Sequence, residues 1–217
     1  QTPTLAMLVE RAGQISNFQK EKYFNVELDC DGIPAVKPKI FDPDEAEQLR
    51  SRCHGNEAIV TAVKETEKKV KAPKLYDLTT LQREANRIYG MTAKQTLDTA
   101  QSLYEKKLIT YPRTDSQYLT EDMEQTARNV VSQIYEKYQL TGPFDQPEQP
   151  DVKKVMNNSK VTDHHAIIPT MELASSHLDE LKSWEEKILF LIAVHTVMAM
   201  SKDHIYQETE IEVECQG

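Results

Sequence analysis

The 217-residue chain is 39% hydrophobic and 28% charged, and no apolar run approaches the roughly 18 residues of a membrane span, which excludes a membrane-spanning helix. A formal net charge of −9 excludes a protein that coats DNA unspecifically, because phosphate binding gains most from surplus Lys and Arg. The cations are unevenly spread: from Lys64 to Arg113 there are eleven against six acids, a local excess of five, although such runs are more often solvated faces than binding sites.

Thr2-Pro3 reads as an N-cap followed by Pro at the first helical position, and Leu5, Leu8 and Val9 supply one apolar stripe, so a helix is expected to about Gly13. From Lys22 the pattern alternates, with Phe24, Val26, Leu28 and Cys30 on one side, and Asp31-Gly32 closes this strand with a turn. A Pro-containing stretch follows. Asp42-Pro43 begins a short polar helix to about Arg52, and Glu57 to Lys71 reads as extended.

The middle of the chain is helical. Thr79 with Gln82 fits a capping box, Leu81, Ala85 and Ile88 form a stripe, and Gly90 stands at a C-cap. Thr92 with Gln95 repeats the capping signal for a second helix with Ala93, Leu97, Ala100 and Tyr104 facing inward; the pair resembles a helix-turn-helix, a form that most often has nothing to do with DNA. Met123, Ala127, Val130, Ile134 and Tyr138 mark a third helix from Glu121, stopped by Gly142-Pro143 and followed by a polar loop over 145–151. Ser183 to Met200 is apolar around much of its circumference and reads as a core helix. Ile205 to Cys215 reads as a returning strand. The expected fold is therefore α+β and mainly helical: a helical domain, 73–202, inserted into a β domain made of 1–72 and 203–217.

Cys30, Cys53 and Cys215 are an odd, widely spaced set, which fits a reducing cytosol better than a disulfide framework. The chain starts at Gln1 without a secretory signal and stops within a strand pattern, so an internal piece of a longer polypeptide is expected. Asp29-Cys30-Asp31 ends a strand at a Gly turn and reads as turn chemistry rather than a metal pair.

Chemistry concentrates in Leu108-Ile109-Thr110-Tyr111-Pro112-Arg113-Thr114-Asp115-Ser116. The residue before a proline favours extended conformations, and side chains two apart on an extended segment share a face, so Tyr111 and Arg113 are expected to address one ligand. A phenol supplies a nucleophilic oxygen, and a guanidinium grips a phosphate and offsets charge building on it. On these residue types alone, packing with an ordinary hydrogen bond is the commoner explanation.

The same nine residues resemble the active-site signature of type IA DNA topoisomerases, and the Pro after the Tyr resembles the topoisomerase III branch. Gln1-Thr2-Pro3-Thr4-Leu5 is similar to the entry into the family's arch region. Leu75 to Gln82 resembles the start of the tyrosine-bearing domain, and His164-His165-Ala166-Ile167-Ile168-Pro169-Thr170 resembles its downstream histidine motif. The resemblance implies that the helical domain is that tyrosine-bearing domain and the β parts are a partial arch. It implies that Tyr111 attacks one DNA strand and holds its 5′ phosphate, that Arg113 binds this phosphate, and that His164 assists through hydrogen bonding or proton movement. Thr114, Asp115 and Ser116 would order the loop or touch DNA, and Gln1 and Thr2 would contact DNA. A free phenol titrates near pH ~10, so it needs such help to lose its proton.

Single-stranded DNA is the implied partner, together with a metal-binding domain elsewhere in the same polypeptide. No cofactor is expected in these residues, and Mg2+ is expected in the full-length enzyme. The implied setting is the cytoplasm, at a bacterial nucleoid. Nothing in the chain matches the family's metal-binding domain, so the 217 residues alone are not expected to relax supercoiled DNA. Two competing readings remain: a noncatalytic helix-turn-helix DNA-binding module, and a helical interaction scaffold that binds no nucleic acid.

Overall fold

A computed structural model describes residues 2–140 and 150–216. The architecture is α+β, and the chain divides into two compact units, Gln1–Glu67 with Gln207–Gly217, and Lys68–Tyr206.

In the first unit, helix α1 (Thr2–Ser16) runs one turn past the expected end and buries none of its side chains; Leu5, Leu8 and Val9 are all more than 60% exposed. Strands β1 (Phe24–Cys30) and β2 (Ile33–Ile40) form an antiparallel hairpin with Cys30 opposite Ile33. Asp31 and Gly32 both have positive φ, 54° and 86°, as the tight turn between right-twisted strands requires, and the Gly32 N–H donates to the Asp29 carboxylate at 2.7 Å. The sequence pattern does not reveal β2, because Pro34 and Pro38 look like strand breakers; a two-stranded hairpin offers each strand a free edge, where a missing N–H costs little.

Helix α2 (Pro43–Cys53) follows, its Asp42 cap accepting from the Asp44 N–H at 2.9 Å. Val26, Ile40 and Ala46 make a small core with Leu49 against it. Strands β3 (Ile59–Val70) and β4 (His204–Glu214) pair into the second sheet. The three cysteines, distant in sequence, are free, yet Cys53 and Cys215 meet: the Cys53 thiol donates to the Cys215 carbonyl at 3.4 Å.

The second unit holds helices α3 (Leu78–Tyr89), α4 (Ala93–Glu105), α5 (Glu124–Tyr138) and α6 (Ser183–Ala199). Helix α6 is the core element: Ile188, Leu189, Ile192 and Ala193 are fully buried, and α3, α4 and α5 all pack on it. Helix α3 begins earlier than its sequence suggests. The Asp77 carboxylate accepts from the Thr80 N–H at 2.7 Å and the Asp77 N–H donates to the Thr80 hydroxyl at 3.1 Å, so the capping box is Asp77–Thr80 rather than Thr79–Gln82. Leu81 and Ala85 are buried, whereas Ile88 is exposed.

Thr92 and Gln95 form the expected box for α4, but its buried face is Thr96, Ala100 and Leu103, with Ala93 and Tyr104 outside. A 3-10 turn, Glu121–Met123, precedes α5, which buries Ala127, Val130, Val131, Ile134 and Tyr135. Gly142-Pro143 and most of the expected loop over 145–151 lie outside the described residues.

One buried charge ties two helices. Glu185 of α6 accepts from the Ser102 hydroxyl at 2.7 Å, from the Lys106 ammonium at 2.6 Å and from the Lys182 N–H at 2.9 Å. Burial alone would push this carboxyl up, but those donors outweigh it and hold the group at about 2. Among the described residues, no helix is long and apolar enough to cross a membrane.

Candidate active site

The loop carrying Tyr111 is built on hydrogen bonds to a segment more than fifty residues downstream. After α4, Lys107 turns the chain with φ 62°, and the Leu108 N–H returns to the Leu103 carbonyl at 2.9 Å. Leu108 and Ile109 are buried, and Ile109 forms a single antiparallel bridge with Pro169. The Thr110 N–H donates to the Ile168 carbonyl at 2.9 Å and the Thr170 N–H to the Leu108 carbonyl at 3.0 Å. The Thr110 hydroxyl donates to the Ala166 carbonyl at 2.9 Å and accepts from the Ile168 N–H at 3.0 Å. Below them, the Thr170 hydroxyl bonds the Lys107 carbonyl.

This is a bridge rather than a strand. The chain bends at Pro112 and Arg113, so the alternation that would put Tyr111 and Arg113 on one face of an extended segment does not hold there. Tyr111 stands half-buried at the end of the bridge. Its ring lies 4.3 Å from the His164 ring, centroid to centroid, tilted by 42°, and the Tyr104 ring meets it edge-on at 5.3 Å. Helical periodicity predicts Tyr104 on the inner face of α4, but it lies outside that face; its place beside Tyr111 comes from the turn at Lys107, which that periodicity does not encode. A cleft of about 470 Å³ opens here, lined by Tyr104, Lys107, Thr110, Tyr111, His165 and Thr170 among others.

Pro112 is buried and Arg113 is exposed, with no ion pair to its guanidinium among the described residues. Thr114 is 8% exposed: its hydroxyl donates to the His164 carbonyl at 3.0 Å and accepts from the Ser116 N–H at 3.1 Å. Ser116 is 5% exposed and donates to the Lys160 carbonyl at 2.8 Å. Asp115, between them, is exposed. The Leu78 N–H, at the start of α3, donates to the Thr114 carbonyl at 3.0 Å. The loop thus brings Tyr111 and His164 into contact, while the Thr114 and Ser116 hydroxyls are spent on holding it. Thr2 lies exposed in the first turn of α1, in the other unit, and Gln1 falls outside the described residues.

His165 and His195 are placed differently. The His165 Nδ1 lies 2.9 Å from the Ala166 carbonyl. His195, on α6, stacks on Tyr76 at 3.7 Å and 13° and reaches the Lys74 carbonyl at 2.7 Å. Burial pushes the Tyr76 phenol up and the His195 imidazole down, so near neutral pH this is an uncharged packing pair. Among the described residues, no three His, Cys, Asp or Glu side chains are grouped to hold a metal ion, and Asp29 is engaged by the hairpin turn.

The family profile described as DNA topoisomerase matches residues 1–217. This chain belongs to the DNA topoisomerase family. It is 36% identical over 227 residues to DNA topoisomerase 3 of Bacillus subtilis (strain 168) and 32% identical over 228 residues to that of Staphylococcus aureus (strain USA300); each alignment covers 100% of this chain and 31% of the relative. The resemblance to the type IA family and its topoisomerase III branch, read from the residues around Tyr111, is thereby borne out. A full-length topoisomerase I from Thermotoga maritima superposes with a TM-score of 0.73 at 27% identity, over 98% of this chain and 35% of that one. The topoisomerase chain thus spans about a third of the length of these relatives.

Proposed function

We propose that this chain carries the cleaving tyrosine of a type IA topoisomerase: Tyr111 attacks one strand of DNA, a strand passes through the break, and the strand is resealed without ATP. The Tyr111 oxygen forms a bond to phosphorus as the bond from phosphorus to the 3′ oxygen breaks. The phenolic proton leaves and the released 3′ oxygen takes one up. The 5′ phosphotyrosine keeps the energy of the broken ester, and the reverse attack by the 3′ hydroxyl restores it.

The observation that carries this reading is the contact of the His164 ring with Tyr111, a residue that lines a cleft, in a chain matched throughout by the topoisomerase family. An imidazole so close to the phenol is positioned to accept its proton or donate to the phosphate. Arg113, exposed and free of a carboxylate partner among the described residues, is available to grip that phosphate. Asp115, with Gln1 and Thr2, would touch DNA, and Thr114 and Ser116 act by fixing the loop.

In this reading the unit with α3 to α6 is the tyrosine-bearing domain, with the α3–α4 pair as its helix-turn-helix-like element. The hairpin and β3–β4 belong to a partial arch. Single-stranded DNA is the substrate and the rest of the same polypeptide is the working partner, in the bacterial cytoplasm. The Mg2+ expected for the family does not fit the described residues, and we assign it to that remaining part.

The test is Tyr111→Phe in a polypeptide that includes the full length of the relatives. Loss of the covalent DNA adduct on a denaturing gel, with single-stranded DNA binding retained, is expected. An adduct that survives the substitution overturns the assignment.

A further inference from the structure

Away from the Tyr111 cleft, two lysines converge on one tyrosine. The Lys160 Nζ lies 4.9 Å from the Tyr118 ring centroid and 3.5 Å from its hydroxyl, and the Lys74 Nζ lies 5.6 Å from the same centroid. Both lysines are exposed, and neither makes an ion pair among the described residues. Several other cations of this unit are paired: Arg87 with Glu84, Lys94 with Asp98, Lys154 with Asp203. Two ammonium groups held against one ring with no carboxylate repel each other, and an anion between them removes that cost.

Lys74 also borders a separate cleft of about 530 Å³ that includes Arg83 and Gln117. Arg83 is exposed and likewise without an ion pair among the described residues, while the Glu84–Arg87 pair lines the same cleft. Burial alone would raise the Tyr118 phenol, but the hydrogen bond and charge of Lys160, with Lys74, outweigh it and hold it below the usual phenol range.

We propose that Lys74 and Lys160, with the Tyr118 hydroxyl between them, form a phosphodiester subsite for single-stranded DNA, separate from the cleft at Tyr111. It rests on the topoisomerase reading above and names a second contact of the same strand. Both sites stand on one scaffold. The Ala166 N–H donates to the Tyr118 carbonyl at 2.9 Å, two residues from where Thr114 holds the His164 carbonyl. The seven residues from Tyr111 to Tyr118 reach at most about 25 Å, a span of a few nucleotides. Nothing in the sequence pattern joins Lys74, Tyr118 and Lys160, since they come from three distant segments.

The test measures binding of a fluorescent single-stranded DNA oligonucleotide by the chain over a series of chloride concentrations. Removing one cation that neutralises a phosphate of a single strand lowers the slope of log K against log salt by about 0.7, so Lys74→Ala with Lys160→Ala is expected to lower it by about 1.4. Lys94→Ala, which removes a cation already paired on α4, is expected to leave the slope unchanged. A double variant that keeps the parent slope while the parent binds normally overturns the subsite alone. A parent chain with no salt-dependent binding overturns the subsite, whereas the topoisomerase reading falls only if an adduct also survives Tyr111→Phe in the full-length polypeptide. Displacement of the oligonucleotide by inorganic phosphate beyond that by chloride at equal ionic strength makes the site one for free phosphate and overturns the strand assignment.

Discussion

The two units stabilise themselves by different means. Among the described residues, the unit carrying Tyr111 packs 29 buried residues into one cluster that includes much of α6, whereas the other unit has a cluster of three, Val26, Ile40 and Ala46, and a first helix with no buried side chain. Burial stabilises in proportion to the apolar area removed from water, so the unit carrying Tyr111 fixes its side chains by packing and the other relies on hairpin and sheet hydrogen bonds. The site loop sits on the packed side of this divide. In the proposed reaction Tyr111 must meet phosphorus in line, and it would gain from a rigid seat.

The sharpest way to break that contrast is to open the core. Ile192→Ala in α6 is expected to cost about 2–5 kcal/mol in chemical denaturation, because a fully buried side chain leaves a cavity; a cost near zero removes the claim that packing dominates this unit. Glu185→Ala is next, at about 2 kcal/mol, since Ser102, Lys106 and the Lys182 N–H lose a charged acceptor.

The Glu185 effect has a definite pH signature. With its folded-state value held at about 2, below that of an unfolded glutamate, this carboxylate's contribution is complete above about pH 4.3. It is lost as pH falls toward 2. Thermal melts across that window should show a shallower acid decline for Glu185→Gln than for the parent, and equal declines discount the carboxylate.

Thr114→Val is smaller, about 1–2 kcal/mol, for a buried hydroxyl that serves both the His164 carbonyl and the Ser116 N–H. The smallest effect is expected in the other unit: Leu8→Ser on α1 within about 0.5 kcal/mol by the same denaturation measurement, because its side chain is already 63% exposed. A large loss there contradicts the contrast from the opposite side.

Elements with local signals are legible in the residues themselves. The Asp31-Gly32 turn, the Thr92–Gln95 box, the Gly90 cap with φ 68° and the buried α6 all follow from short-range chemistry. What stays hidden depends on distant partners. Pro34 and Pro38 mask β2 because its pairing with β1 tolerates missing donors at an edge. Asp77 outcompetes Thr79 as the cap because its carboxylate reaches the Thr80 N–H. At the site, motif resemblance marks Tyr111 and its neighbourhood, but the bridges that tie 108–110 to 166–170 are contained in no local window. Cys53 and Cys215 make the same point, since a spacing of 162 residues suggests no contact and the fold brings them together.

The stitching of 108–119 to 164–170 bears on how a broken strand could be parted. Because Thr110, Thr114 and Tyr118 each bond that downstream run, the phenol and the imidazole ride on one rigid plate. In the proposed reaction, any swing that separates two severed DNA ends would pivot outside this plate, and a covalently held end would be carried as cargo with the phenol and imidazole still assembled around it.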